Sequence, residues 1–196
     1  MNLELWFEFA STYSYLTVAR VEPLARDVGV EIVWRPFLLG PIFRDKGMET
    51  SPFVLDPVKG AYMWRDVERR AERFGIPFVR PAIFPAKGLE AARIMTAGLA
   101  EPWSGAFARQ VFSAQFVEGA DISDGEVLRR ALERCVDDPD HWLGLARQDE
   151  TKARLRALTE EARTHGIFGA PSFRVGDELF WGDDRLEDAI AWAAEH

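Results

Sequence analysis

The stretch Leu3-Glu-Leu-Trp-Phe-Glu-Phe9, continued by Ala10-Ser-Thr-Tyr-Ser-Tyr-Leu16, decides the fold. Its first half alternates loosely and is rich in aromatic and aliphatic side chains, the pattern of a buried strand. A helix is predicted to begin directly afterwards, and Ser11 and Ser14 place two hydroxyls at i and i+3 across that start. A serine after a strand reads most simply as a helix N-cap. A second reading uses the unpaired N–H groups and dipole of a helix start, which favour negative charge such as a bound thiolate. Ser-x-x-Ser cannot form a disulfide, so a thiol at this position has to be supplied from outside.

Working outward, residues 13–28 read as a helix with an apolar stripe of Tyr15, Leu16, Ala19, Leu24 and Ala25, ending at Gly29. Pro23 inside it predicts a kink. Residues 30–37 form a second strand, and the strand–helix–strand link predicts a parallel, right-handed unit. Residues 38–47 and 50–57 read as loops. Helical segments follow over 59–74, 88–100, 102–117, 124–136 and 139–165, with no strand pattern among them and an N-cap region at Asp121–Asp124. Strands return at 171–175 and 178–181 around a two-residue Gly176-Asp177 turn, which favours primed geometries. A terminal helix over 184–194 presents Leu186, Ala189, Ile190 and Ala193 on one face. The order is βαβ, helical block, αββα: an α/β chain in which residues 1–40 and 166–196 make one domain around a helical insertion over 41–165.

The chain has 196 residues, a net charge of -8, 47% hydrophobic residues and one cysteine, Cys135. No apolar run approaches the roughly 20 residues that span a bilayer. The acidic balance argues against nucleic acid and anionic membranes as partners. A lone cysteine excludes an intrachain disulfide and fits a reducing compartment. The N-terminus opens on a strand without a basic-then-apolar leader, so a cytoplasmic protein is expected. No residue pattern calls for a metal. Cys135, beside Leu132 and Val136, reads as a buried small hydrophobe. Tyr62, Met63 and Trp64 read as core. Arg65, Arg69, Arg70 and Arg73 read as a solvated face partnered by Asp66, Glu68 and Glu72.

Phe7-Glu-Phe-Ala-Ser-Thr-Tyr-Ser-Tyr-Leu16 resembles the N-terminal signature of 2-hydroxychromene-2-carboxylate isomerases and kappa-class glutathione transferases, usually aromatic-Asp-Phe-x-Ser-Pro-Tyr-Ser-Tyr-Leu. Trp34-Arg-Pro-Phe-Leu-Leu-Gly-Pro-Ile-Phe43 is similar to their segment after the second strand. Gly166-Ile-Phe-Gly-Ala-Pro-Ser-Phe173 and Phe180-Trp-Gly-Asp-Asp-Arg-Leu186 resemble their C-terminal signatures. The resemblance runs in order over the whole length. It implies a thioredoxin-like fold interrupted by a large helical insertion, as in the DsbA-like superfamily, with glutathione as cofactor and a homodimer as the assembly. It also implies cis-trans isomerisation of 2-hydroxychromene-2-carboxylate, or a related unsaturated ketoacid, in aromatic catabolism.

Residue by residue, the resemblance implies that Ser11 contacts the sulfur of glutathione as a stabiliser of thiolate. It implies a cis bond at Ala170-Pro171 that offers the Ala170 backbone to the glutathione peptide. Trp181, Gly182, Asp183 and Asp184 would hold the γ-glutamyl end. The plain alternative for Asp184 is a capping box with Glu187. On the second-substrate side the candidates are Phe43 for an aromatic pocket, Thr50, and Lys59 and Lys87 for an anionic group. Thr12 stands where the family usually has proline, Pro41 where a second glycine is common, and Lys87 where asparagine is frequent. The segment Gly47–Pro52 lacks the family's ligand-binding asparagine. A serine hydrolase lacks support, because no Gly-x-Ser-x-Gly elbow surrounds Ser11. A kappa-like transferase and a non-catalytic thioredoxin-like binding module remain open alternatives.

Overall fold

The computed structural model describes residues 2–196. Strand β1 (Leu3–Phe7) lies at the centre of a four-stranded sheet of order β2-β1-β3-β4. It pairs parallel with β2 (Ile32–Pro36), Leu3 opposite Ile32 and Phe7 opposite Pro36. Its other edge pairs antiparallel with β3 (Ser172–Val175), Trp6 opposite Ser172. β4 (Glu178–Trp181) closes the hairpin, with Ser172 opposite Trp181. In the hairpin turn Gly176 has a φ of 59° and Asp177 does not have positive φ, the pattern of a type II′ turn.

The residues predicted as one kinked helix form two, α1 (Thr12–Val18) and α2 (Val21–Asp27). The break falls at Ala19–Arg20, upstream of the proline. Pro23 is thereby placed in the first turn of a new helix, where its missing N–H costs nothing and its ring meets no helical carbonyl.

Between β2 and β3 every element is helical. Two short helices, α3 (Leu39–Asp45) and α4 (Pro52–Leu55), occupy segments expected to be loops. The long α5 (Pro57–Phe74) is capped by Asp56, whose Oδ1 accepts from the N–H groups of Val58 (3.0 Å) and Lys59 (3.2 Å), and it ends at Gly75 with a φ of 64°. Helices α6 (Leu89–Ala97), α7 (Ser104–Phe116) and α8 (Gly125–Glu133) follow. Asp124 caps α8 through Glu126 N–H, within the expected cap region. The span 139–165 divides into α9 (Pro139–Ala146) and α10 (Asp149–Thr164), with Gln148 extended between them and the Thr151 hydroxyl donating to the Leu145 carbonyl. A 3-10 turn at Asp183–Arg185 leads into α11 (Leu186–Glu195). The Asp184–Glu187 capping box does not form: Asp184 pairs with Arg185, and Glu187 with Arg20.

Alternation along β1 explains its burial on both faces. Leu3, Leu5 and Phe7 join the main core, while Trp6 points to a smaller cluster with Phe37, Ile42, Ala162 and Ile167. The main core runs without interruption from the sheet and α11 into α5, α6, α7 and α8. A chain of rings joins Phe9 to Phe112 (5.3 Å) and Tyr15 to Phe116 (5.1 Å), so α7 is held against the β1–α1 junction. Met63 and Trp64 are core as expected, but Tyr62 is 63% exposed. Cys135 is half-buried, with its thiol donating to the Ala131 carbonyl. No helix among the described residues is long and apolar enough to cross a membrane.

Candidate active site

A cavity of about 820 Å³ opens where β1 ends and α1 begins. Its walls come from the 8–13 junction, α3 with the 49–53 segment, α5, the 84–86 loop, and the two C-terminal segments 168–170 and 181–184.

Ser11 occupies the junction as the N-cap of α1. Its Oγ accepts from Ser14 N–H at 3.1 Å and donates to the Ala170 carbonyl at 2.9 Å. Capping and facing the cavity are therefore properties of the same side chain. Ser14, the other hydroxyl of the pair, is fully buried and stays out of the cavity. The Ala170-Pro171 bond is cis, as expected, and a second cis bond at Phe84-Pro85, unforeseen, lies in a loop that also lines the cavity.

Trp181, Gly182, Asp183 and Asp184 all reach the cavity. Gly182 has a φ of 107°, and a Cβ there would come within 2.5 Å of Asp184 Oδ1. Gly169 is equally required, since its Cβ would meet Trp181 Nε1 at 2.3 Å. Trp181 leans on Phe168 at 4.7 Å, and Lys46 lies over the other ring at 5.2 Å from its centre.

Asp183 does not offer a free carboxylate. Its buried oxygens accept from Thr17 Oγ1 (2.9 Å), Arg20 Nη2 (3.0 Å), and Arg70 Nε (2.9 Å) and Nη2 (2.5 Å). That saturation leaves Asp184, half-exposed beside Arg185, as the carboxylate able to meet a ligand cation. The same contact corrects the reading of Arg70, which is turned inward and is no part of a solvated face. Burial works against its charge, but Asp183 outweighs it and holds the guanidinium above its ordinary pKa.

On the second-substrate side, Phe43, Thr50 and Lys59 line the cavity. Lys59 stands at the start of α5, 68% exposed and 3.7 Å from Asp56. Lys87 is a correction: it is exposed, lies outside the cavity and feels the charge of Asp121 instead. The 84–86 loop turns the preceding residues toward the cavity and leaves Lys87 beyond it.

Three lining residues escaped the sequence reading. Tyr13 donates to Asp66 at 2.9 Å, and burial, reinforced by that carboxylate, raises its phenol well above the ordinary range. Phe168 supplies the aromatic wall. Glu8 lies on the floor, where burial pushes its carboxyl up to about 7 and only the Ala10 N–H, at 3.2 Å, pulls the other way. Its sequence signal was available: an acidic residue at the mouth of a strand, three positions before the serine.

A strand, a serine-capped helix, a cis proline opposite it and an all-helical block between the halves together describe a known architecture. The family model for the DSBA-like thioredoxin domain matches residues 2–190. The chain belongs to the DSBA-like thioredoxin family. Within it, the chain is 29% identical over 187 residues to a 2-hydroxychromene-2-carboxylate isomerase of Sphingobium xenophagum, covering 95% of this chain and 94% of that one. It is 26% identical over 211 residues to glutathione S-transferase kappa 2 of Caenorhabditis elegans, covering 98% and 92%. Among solved structures, that of a 2-hydroxychromene-2-carboxylate isomerase superposes with a TM-score of 0.89 at 27% identity, covering 100% of this chain and 95% of that one. This DSBA-like member carries Ser11 and Ser14 at the helix start.

Proposed function

We propose that this protein is a glutathione-dependent cis-trans isomerase acting on 2-hydroxychromene-2-carboxylate or a related unsaturated 2-oxoacid. The observation that carries the reading is the placement of Ser11 and Ala170 against one another on the wall of a cavity large enough for a tripeptide and an aromatic acid. Similarity along the whole chain to proteins named as isomerases, and to others named as glutathione transferases, supports it.

In this reading the glutathione sulfur lies against Ser11. The hydroxyl turns from Ala170 to donate to sulfur, which favours thiolate over thiol and lowers a pKa ordinarily near 8.5. The released Ala170 backbone pairs with the cysteinyl unit, and the γ-glutamyl end sits at Gly182 with its ammonium on Asp184. Asp183 is a positioning residue that holds this turn through Arg20 and Arg70. Phe168, Trp181 and Phe43 form the aromatic side, and Lys59 faces the substrate carboxylate at the mouth. The hemiketal ring first opens: its C–O pair leaves with the phenol oxygen, which takes the hydroxyl proton, and the ketone forms. The thiolate then adds to the benzylic carbon, the neighbouring double bond becomes single and rotates, and expulsion of sulfur restores it. Glutathione is regenerated, so it acts as cofactor.

The assembly that goes with this reading is a cytoplasmic homodimer. Val54, Leu55 and Val58 expose apolar surface beside the mouth that a second copy would cover.

The test is calorimetry of glutathione binding across pH 6–9, wild type beside Ser11→Ala, followed by product analysis with the hydroxychromene acid. Binding with proton release that shrinks in Ser11→Ala, and a sulfur-free isomer as product, is the expected result. A thioether product would favour a kappa-like transferase. No binding at millimolar glutathione would leave a non-catalytic binding module.

A further inference from the structure

Glu8 is a half-buried residue with a carboxyl that the reaction described above does not use. Its peptide carbonyl accepts from Ser11 N–H at 2.9 Å and its Oε2 from Ala10 N–H, so strand end and helix start clamp it in place. The backbone at Gly88, entering α6, closes one side: a Cβ there would lie 3.7 Å from Oε1 and 3.0 Å from Phe9 Cβ. The other side opens into the cavity shared with Ser11, facing the apolar Phe84, Pro85 and Leu39.

Of the other charged groups on the walls, Arg70 is engaged by Asp183, and Asp66 by Tyr13 and Arg69. Lys59 and Asp184 are exposed to solvent and reserved for the ligand carboxylate and ammonium. Glu49 is exposed at the rim. Among the described residues Glu8 forms no ion pair. An acid partly withdrawn from water without counter-charge is costly to ionise. Such a group facing the same cavity as the thiolate site has the properties of an acid–base catalyst.

We propose that Glu8 is the proton-transfer residue of this site, giving its proton to the 2-oxo oxygen of the substrate as sulfur adds and taking it back as sulfur leaves. The inference rests on the isomerase reading. With the hydroxychromene opened to its 2-oxo form, the sulfur lone pair forms the C–S bond, the C=C pair shifts to the adjoining C–C bond, and the C=O pair moves to oxygen. That oxygen takes the Glu8 proton, leaving enol and carboxylate. After rotation the carboxylate removes the enol proton, C=O and C=C re-form, and the C–S pair departs with sulfur as thiolate. Substrate, glutathione and Glu8 end with the atoms and electrons they began with. Burial that keeps Glu8 protonated near neutrality suits it to both directions of transfer.

The experiment measures kcat against pH for wild type, Glu8→Gln and Glu8→Asp with the hydroxychromene acid, alongside glutathione calorimetry on each. Activity of the wild type falls as pH rises past about 7, the range in which Glu8 loses its proton. In Glu8→Gln that falling limb vanishes and kcat drops by roughly 100-fold or more. Glutathione affinity and its linked proton release hold within about twofold, as expected for a group acting only in the transition state. Glu8→Asp keeps a titrating limb at intermediate kcat. A Glu8→Gln enzyme that retains kcat within about threefold and keeps the limb overturns the proposal. So does loss of glutathione binding in both variants, which would make Glu8 structural. Failure of the isomerase reading is told apart by the wild type alone, through absent glutathione binding or a thioether product, and it removes the proposal with it.

Discussion

The Ser11 hydroxyl donates to the carbonyl of Ala170 at 2.9 Å, joining residues 159 positions apart in the chain. The same oxygen caps α1 through Ser14 N–H. Ser11→Ala removes both bonds. A lost N-cap costs about 1 kcal/mol, so urea denaturation is expected to show a modest loss of stability. Losing a donor to a charged acceptor costs about 1.5–3 kcal/mol, which corresponds to a rise of about one to two units in the pKa of bound glutathione. Ultraviolet titration of the thiolate checks the second figure, and an unchanged titration curve would set Ser11 aside as a cap only.

Asp183 is the counter-ion of two arginines at once. Asp183→Asn leaves Arg20 and Arg70 inadequately paired beside a buried turn, which is expected to cost about 3–5 kcal/mol. Thermal and guanidinium unfolding measure this. Arg70→Met, which removes a charge and keeps the stem, is expected to cost less, because Arg20 still neutralises the carboxylate.

Gly182→Ala places a methyl group 2.5 Å from Asp184 Oδ1 at a φ of 107°. Backbone strain of this kind costs about 1–3 kcal/mol, and the turn is expected to shift in relieving it. Glutathione affinity should therefore weaken more than global stability does. Calorimetry and chemical denaturation on the same variant separate the two, and equal losses in both would contradict a local effect.

Two carboxylates at the sheet have opposite pH signatures. For Glu4, burial acts to raise the pKa, but the Trp6 N–H and the guanidiniums of Arg35 and Arg174 prevail and hold it below its ordinary value. Its stabilising contribution is present above the unfolded value of 4.5 and is lost as pH falls through the lower folded one. Glu8 is raised from 4.5 to about 7, so the folded state binds the proton more tightly than the unfolded chain. Its contribution is greatest below 4.5 and declines as pH rises through about 7, by about 3 kcal/mol in all. Urea midpoints from pH 5 to 8 are expected to fall more steeply for wild type than for Glu8→Gln. Parallel curves would refute the shift.

The strands, their pairing and the hairpin were legible because their signals are local: apolar alternation in β1, and Gly176-Asp177 between two apolar runs. Ser11 was legible for the same reason, as a hydroxyl at a strand–helix junction. The break before α2 was hidden because Pro23 is compatible with either a kinked helix or the first turn of a new one. The inward turn of Arg70 was invisible, since its partner lies 113 residues away and Asp66, Arg69 and Arg73 beside it on the helix offered a charged face. Tyr62 looked like core because it adjoins Met63 and Trp64, yet a 100° step per residue puts it on the cavity side. Glu8 was passed over because a period-2 pattern assigns polar residues to solvent, and here the polar position faces an enclosed cavity.

The sheet order carries a consequence for synthesis of the chain. β1 leaves the ribosome before the other three strands, finds β2 within about thirty residues, and then waits for β3, which begins at Ser172. At 5–20 residues per second, one edge of the most apolar strand stays unpaired for roughly ten to thirty seconds. During that interval the nascent helices are the only part of the chain available to shield it from other nascent chains, and no binding pocket exists. Deletions near the C-terminus are thus expected to turn this protein into a client of chaperones rather than a weakened enzyme.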